Sequence, residues 1–114
     1  MQTLLILYLV GGTLLIILAI PLLRQRVGQN PVYGFRVPAT FRDPQVWYAA
    51  NRYSAKWLIV TGVVTDVSAL IFYFIPGISV DTYALLCLAV FTVVFTIAIF
   101  LSFRYLRSLE RVDP

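Results

Sequence analysis

The sequence contains no histidine, a single cysteine (Cys87) and only five acidic residues among 114. Without histidine there is no imidazole ligand for haem, no Ser-His-Asp relay and no Cys-His nucleophile pair. One cysteine leaves neither an intrachain disulfide nor a zinc cluster. No cofactor and no metal site is expected, and catalysis becomes the less favoured reading. Charge is scarce as well. Only 12% of the residues are charged and 61% are hydrophobic, against about 25% charged and roughly 45–50% apolar in soluble domains. That balance belongs to a membrane protein of one domain, residues 1–114, with little chain left for an extramembrane enzyme domain. The net charge of +4 would suggest nucleic acid in a soluble protein. In a membrane protein it is first a topology signal, and no direct contact with nucleic acid is expected.

Three runs carry little or no charge: Thr3 to Leu23, Trp57 to Ile75 and Thr82 to Phe103. Each is long enough to cross about 30 Å of hydrocarbon as a helix rising 1.5 Å per residue. The expected fold is all-α, an integral membrane bundle of three helices. No Lys or Arg precedes the first run and no small-x-small site ends it, so it should persist as a helix instead of being cleaved, with Pro21 marking its exit. The Pro76-Gly77-Ile78-Ser79 turn is short and makes the second and third helices an antiparallel hairpin. The connection 24–56 is different: polar, basic, rich in Gly, Pro and Asn, and too long to be structureless without a function. Within it Asp43 can cap free amides and Pro44 suits a first helical position. Val46, Trp47, Ala50 and Tyr53 then recur at helical spacing. A short amphipathic helix is expected there, able to run on into the second span.

Arg24, Arg26, Arg36, Arg42, Arg52 and Lys56 lie between the first two spans, and Arg104, Arg107 and Arg111 follow the third. All nine basic residues therefore fall on one side, which the positive-inside rule assigns to the cytoplasm. The expected location is the bacterial cell membrane, multi-pass, with the N-terminus and the 76–81 turn outside and the long loop and C-terminus inside.

Asp66 is the one ionisable residue well inside a span, and at roughly +2.5 to +3.5 kcal/mol on insertion scales it should face protein or water. It is either a proton or cation site, or a carboxyl that hydrogen-bonds hydroxyls such as Tyr8, Thr13, Thr92 or Thr96 and holds the bundle together. Gly11, Gly12, Thr13 and Gly62 permit close helix approach. Cys87, with no redox partner, is an apolar filler. Trp47, Tyr48, Tyr53 and Trp57 form an aromatic belt near the start of the second span.

The most informative stretch is Asn30-Pro31-Val32-Tyr33-Gly34-Phe35-Arg36-Val37-Pro38-Ala39-Thr40, followed by Asp43, Trp47 and Asn51. Asn-Pro and Tyr-Gly are turn signals, two prolines stiffen the path, and Arg36 sits among aromatic and aliphatic neighbours, all signs of a folded loop. The pattern resembles the SdpI family of small bacterial membrane proteins. Their signature is a Tyr-Gly-x-Arg loop after a transmembrane helix, then a Ser or Thr, then a Trp and an Asn before the next span. Tyr33, Gly34, Arg36, Thr40, Trp47 and Asn51 fill those positions, although the family's Arg is often followed by Thr where this chain has Val37. The resemblance covers the chain as one three-span module, whereas longer SdpI proteins carry further spans before it. It implies immunity to a secreted peptide toxin, and signalling by holding a transcriptional repressor at the membrane.

The first expectation is thus a non-enzymatic immunity or signalling protein whose loop, with Asn30, Tyr33, Gly34, Arg36, Thr40, Trp47 and Asn51, is a recognition surface for a peptide toxin or cytoplasmic regulator. The alternative is an accessory subunit of a larger membrane complex, its basic loop against a soluble subunit or anionic lipid. A weaker third is a small transporter using Asp66. Membrane lipid is a partner under every reading, and self-association into a homo-oligomer is compatible with the first. The topology is directly testable. In a Cys87-free background, a cysteine replacing Ser79 should react with an impermeant thiol reagent in intact cells, and one replacing Ser108 only after lysis. The reverse pattern would overturn the assignment from the basic residues.

Overall fold

The computed structural model describes residues 1–112, with side chains through Leu109. Four helices follow in order: α1 (Gln2–Leu23), α2 (Pro38–Arg42), α3 (Pro44–Tyr73) and α4 (Val80–Val112). α1, α3 and α4 are each long and apolar enough to cross a membrane, so the chain is an all-α membrane bundle. In hydrocarbon every backbone polar group needs an internal partner, and a helix supplies one within the segment. The bundle is 58 Å long and about 23 by 19 Å across. That length exceeds a hydrocarbon core of about 30 Å, so part of the bundle projects beyond it.

Local chemistry sets the helix ends. Pro21 lies inside α1, where its missing N–H would have met only the Ile17 carbonyl, and the chain leaves through Gln25 at φ 58. The Asp43 carboxylate accepts from the Gln45 N–H at 2.9 Å and Pro44 opens α3, the N-cap and first-position pairing that the sequence suggested. α3 then runs without a break from the loop through the second span, so the surface helix and the transmembrane helix are one element. The Ser79 hydroxyl accepts from the Thr82 N–H at 3.1 Å to cap α4, and Gly77 at φ 78 closes the turn. α4 continues to Val112, well past the Phe103 boundary expected of the span. α2, a single turn, had no signal in the apolar pattern.

α3 is the central helix, packing against both α1 and α4, whereas α1 and α4 scarcely meet. Their contact lies at the end away from the loop. There Tyr8 donates to the Ala84 carbonyl at 3.0 Å and Tyr83 to the Ala69 carbonyl at 2.9 Å. Met1, Leu4 and Leu5 pack around Ala69, Tyr83 and Cys87. Cys87 is accordingly a buried packing residue.

The crossing of α1 and α3 depends on two glycines. A Cβ on Gly62 would stand 2.5 Å from the Gly12 carbonyl oxygen and 2.7 Å from Ile16 Cγ1, and one on Gly12 would strike the Asp66 carboxyl and stand 2.8 Å from the Gly62 carbonyl oxygen. Gly11, expected to share this role, has open space around it. It lies with Ile6, Leu7, Val10, Leu14, Ile17 and Leu18 among the exposed residues of α1. Small residues let backbones approach where dispersion and hydrogen bonds, not water, drive association. Gly62→Ala should therefore force the helices apart and cost about 1–3 kcal/mol, the usual range for overpacking, while Gly11→Ala should be close to neutral. Reversible unfolding in bicelles or mixed micelles reads the difference, and equal effects would show that the crossing is not tight.

Candidate functional site

The loop 24–43 folds back on the first four turns of α3, and side-chain amides hold it there. Asn30 makes the first clamp. Its Oδ1 accepts from the N–H groups of Val32 at 3.0 Å and Tyr33 at 2.6 Å, and its Nδ2 donates to the carbonyls of Gly28 at 2.8 Å and Tyr33 at 2.9 Å. A single side chain thus satisfies four backbone groups around Pro31, which has no N–H of its own. Asn51 makes the second. From within α3 its Oδ1 accepts from the Phe35 N–H at 2.6 Å and its Nδ2 donates to the Trp47 carbonyl at 2.9 Å.

Gly34 lies between these clamps at φ +115, where a Cβ would be 2.7 Å from Asn51 Oδ1 and 3.3 Å from the Trp47 ring. Both the dihedral and the space exclude any other residue. Trp47 is completely buried; its indole N–H donates to the Val27 carbonyl at 2.8 Å, and Phe41 lies against its ring at a centroid distance of 5.3 Å. It is a loop anchor, whereas the stacked Tyr53–Tyr105 pair at 4.2 Å joins α3 to α4. The Thr40 hydroxyl donates to the Val37 carbonyl at 2.8 Å and accepts from the Val37 N–H at 3.1 Å. That is half of a capping box, because Val37, the N-cap of α2, has no oxygen to return the bond.

The seven loop residues singled out in the sequence therefore separate into two groups. Thr40, Trp47 and Asn51 are buried, and Gly34 and Asn30 act on the backbone; these five build the loop. Arg36 is exposed. Its Nη1 donates to the Pro31 carbonyl, which sets the guanidinium beside Val32, itself 79% exposed. Asp43, a conceivable partner for Arg36, is engaged in capping α3. Tyr33 turns inward against Ala19, Leu22 and Ala55. Burial pushes its phenol up from the ordinary value of 10.0, so it stays neutral, and its hydroxyl has no hydrogen-bond partner among the described residues.

Asp66 lies apart from the loop, at the glycine crossing. Of the hydroxyls proposed for it, Thr13 is the one it meets: Thr13 donates to Asp66 Oδ2 at 3.1 Å. Tyr8 is engaged with Ala84 instead. Among the described residues the other carboxyl oxygen, Oδ1, is buried without a hydrogen-bond partner, and no cluster of metal-binding side chains occurs.

The profile of the SdpI/YfhL protein family matches residues 26–103. The chain belongs to the SdpI/YfhL family. The matched region contains the loop residues named above, together with Asp66 and the α3–α4 hairpin as far as Phe103, and leaves out all of α1. A curated relative, the uncharacterized protein YfhL of Bacillus subtilis strain 168, is 44% identical over 57 residues, which is 49% of this chain and 52% of the relative. The chain thus spans about half the length of that SdpI/YfhL relative in the match. No solved structure matches the chain.

Sequence reasoning missed the partners that the loop finds on remote elements. Phe35 packs edge-on against Phe103 of α4 at 5.0 Å, Gln29 donates to the Thr40 carbonyl at 3.1 Å, and the acceptor for Trp47 is twenty residues away. The Asn51 bridge yields a sharp test. Asn51→Leu keeps the volume but strands the Phe35 N–H, a loss of about 1–3 kcal/mol for an unsatisfied buried donor. The Phe35 amide should exchange with solvent far faster in the variant, while amides in the α3 span, such as that of Thr65, keep their protection. Unchanged exchange at Phe35 would remove Asn51 from the loop's framework.

Proposed function

We propose that this chain is a non-enzymatic bacterial membrane protein acting as an SdpI-type immunity or signalling component, with the Tyr33-Gly34-Phe35-Arg36 loop as its recognition surface. It is oriented with the loop and C-terminus in the cytoplasm. The observation that carries this reading is the combination of a rigid frame and an exposed guanidinium. Asn30, Gly34, Trp47 and Asn51 fix the backbone before Arg36 and Thr40 fixes Val37 after it, so its head is presented with little conformational freedom left to lose on binding. One nitrogen is tied to the Pro31 carbonyl; the remaining donors of the fork have no partner among the described residues. A planar cation next to the exposed Val32 suits a carboxylate carried on an apolar segment, such as a peptide toxin or the helix of a cytoplasmic regulator. Family membership and the membrane-spanning fold support the same class of function.

Lysine separates charge from geometry. Arg36→Lys keeps the cation and loses the fork, so in a toxin-protection or partner-capture assay it should be impaired. Arg24→Lys, a cation just after α1, should behave as the parent. Because Arg36 is exposed, its stability in detergent should change by no more than about 0.5 kcal/mol. Trp47→Ala should lose both function and loop order. An Arg36→Lys protein indistinguishable from the parent in protection and in capture would leave the loop without a specific guanidinium site.

A further inference from the structure

α1 and α4 touch through Tyr8, Tyr83 and Ala84 at one end of the bundle and diverge toward the other. Between them, at the basic end, lies a cavity of about 370 Å³ walled by Leu15, Leu18 and Ala19 of α1 and by Phe95, Ala98 and Ser102 of α4. Its back is Leu58 of α3, and its roof is Tyr33-Gly34-Phe35. The Phe35–Phe103 contact helps close the roof against water. With a helix on each flank, a third behind and the loop above, the side left open faces the bilayer. Close-packed proteins hold few voids larger than a water molecule, and atoms lining an empty void forfeit their dispersion contacts. This cavity falls within the range of about 300–1,000 Å³ typical of ligand pockets.

We propose that the cavity is a lipid site that takes one acyl chain of an anionic phospholipid from the loop-side leaflet. Two independent observations point to this occupant. The walls are apolar and, on the open side, continuous with the exposed stripes of α1 and α4, so a chain enters without crossing water. The basic residues supply charge complementarity at the mouth. Phe95, Ile99 and Phe103 recur at helical spacing along the cavity face of α4, and the next position in that series is the exposed Arg107. Cations at this level meet a phosphate when the chain is inserted below them. The site is separate from the exposed fork of Arg36, and it holds whether or not the loop recognises a toxin.

The test uses the full chain in phosphatidylcholine nanodiscs doped with phosphatidylglycerol bearing a diazirine in one acyl chain. After illumination, labelling should concentrate on the half-buried lining residues Leu15, Leu58 and Phe95, severalfold above the outward-facing Leu7, Leu14 and Leu85. Unlabelled phosphatidylglycerol should compete and added phosphatidylcholine should not. Ala98→Leu, which fills the cavity, should cut that labelling severalfold, as should Ile99→Trp, at a half-exposed wall position where bulk is tolerated. Arg107→Gln should abolish the preference for phosphatidylglycerol while labelling persists. Labels spread evenly around α1 and α4 would mean only boundary lipid and would overturn the proposal. So would cross-links between two copies of the chain through the cavity residues, or labelling unaffected by both filling variants. If the filling variants do not fold, the labelling map of the parent protein decides.

Discussion

The amide of Asn51 is the contact on which the shape of the loop depends, because it is the point where the backbone of one element is satisfied by a side chain of another. A helix of 30 residues is insensitive to what lies beside its first turns. A loop with two prolines and a glycine at positive φ has few hydrogen bonds of its own. By accepting from Phe35 and donating to Trp47, Asn51 transfers the rigidity of α3 to the loop, and the space it leaves above its oxygen is small enough to admit only Gly34. Trp47, one helical turn earlier, extends the same attachment to Val27. The long α3 thus acts as a post that begins outside the bilayer, carries the loop, and then enters the hydrocarbon as the central transmembrane helix.

Within the hydrocarbon a different constraint rules. Water no longer drives apolar surfaces together, so helices associate where backbones come close enough for dispersion and where polar side chains find partners. Gly12 and Gly62 provide the first condition, and the Thr13–Asp66 bond supplies the second at the same level. At the far end Tyr8 joins α1 to α4 and Tyr83 joins α4 to α3, each through a carbonyl oxygen that already serves in a helix. With their contacts gathered at the far end, α1 and α4 diverge toward the loop, and the cavity beneath Tyr33 is the geometric consequence. The loop therefore has two faces: an outer one bearing Arg36 and Val32, and an inner one bearing Tyr33 and Phe35 that closes the bundle.

Much of the architecture was legible from composition and spacing. Apolar runs of about 20 residues admit only helices in a membrane, and Asp43-Pro44 marks the start of α3 because one residue accepts and the next needs no hydrogen bond. The Tyr-Gly-x-Arg pattern was enough to suggest the family. The role of each loop residue was less legible. Side-chain type alone places Asn51, Trp47 and Thr40 equally well on a binding surface or inside a scaffold, and burial is what separates them. In the spans, Asp66 had four hydroxyls to choose from, and Gly11 and Gly12 were interchangeable on paper.

The sequence by itself determined that the chain crosses a membrane as helices, where those helices start, and which stretch between them is chemically unusual, since these follow from local hydropathy, capping and turn propensities. Only the tertiary structure decided that Thr13 is the partner of Asp66 and Gly12 the packing glycine. It alone placed Tyr33 inward and Arg36 outward, and opened a cavity between α1 and α4. Each of these depends on the rotation of one helix about its axis relative to another, and periodicity within a single helix carries no information about the angle at which its neighbour sits.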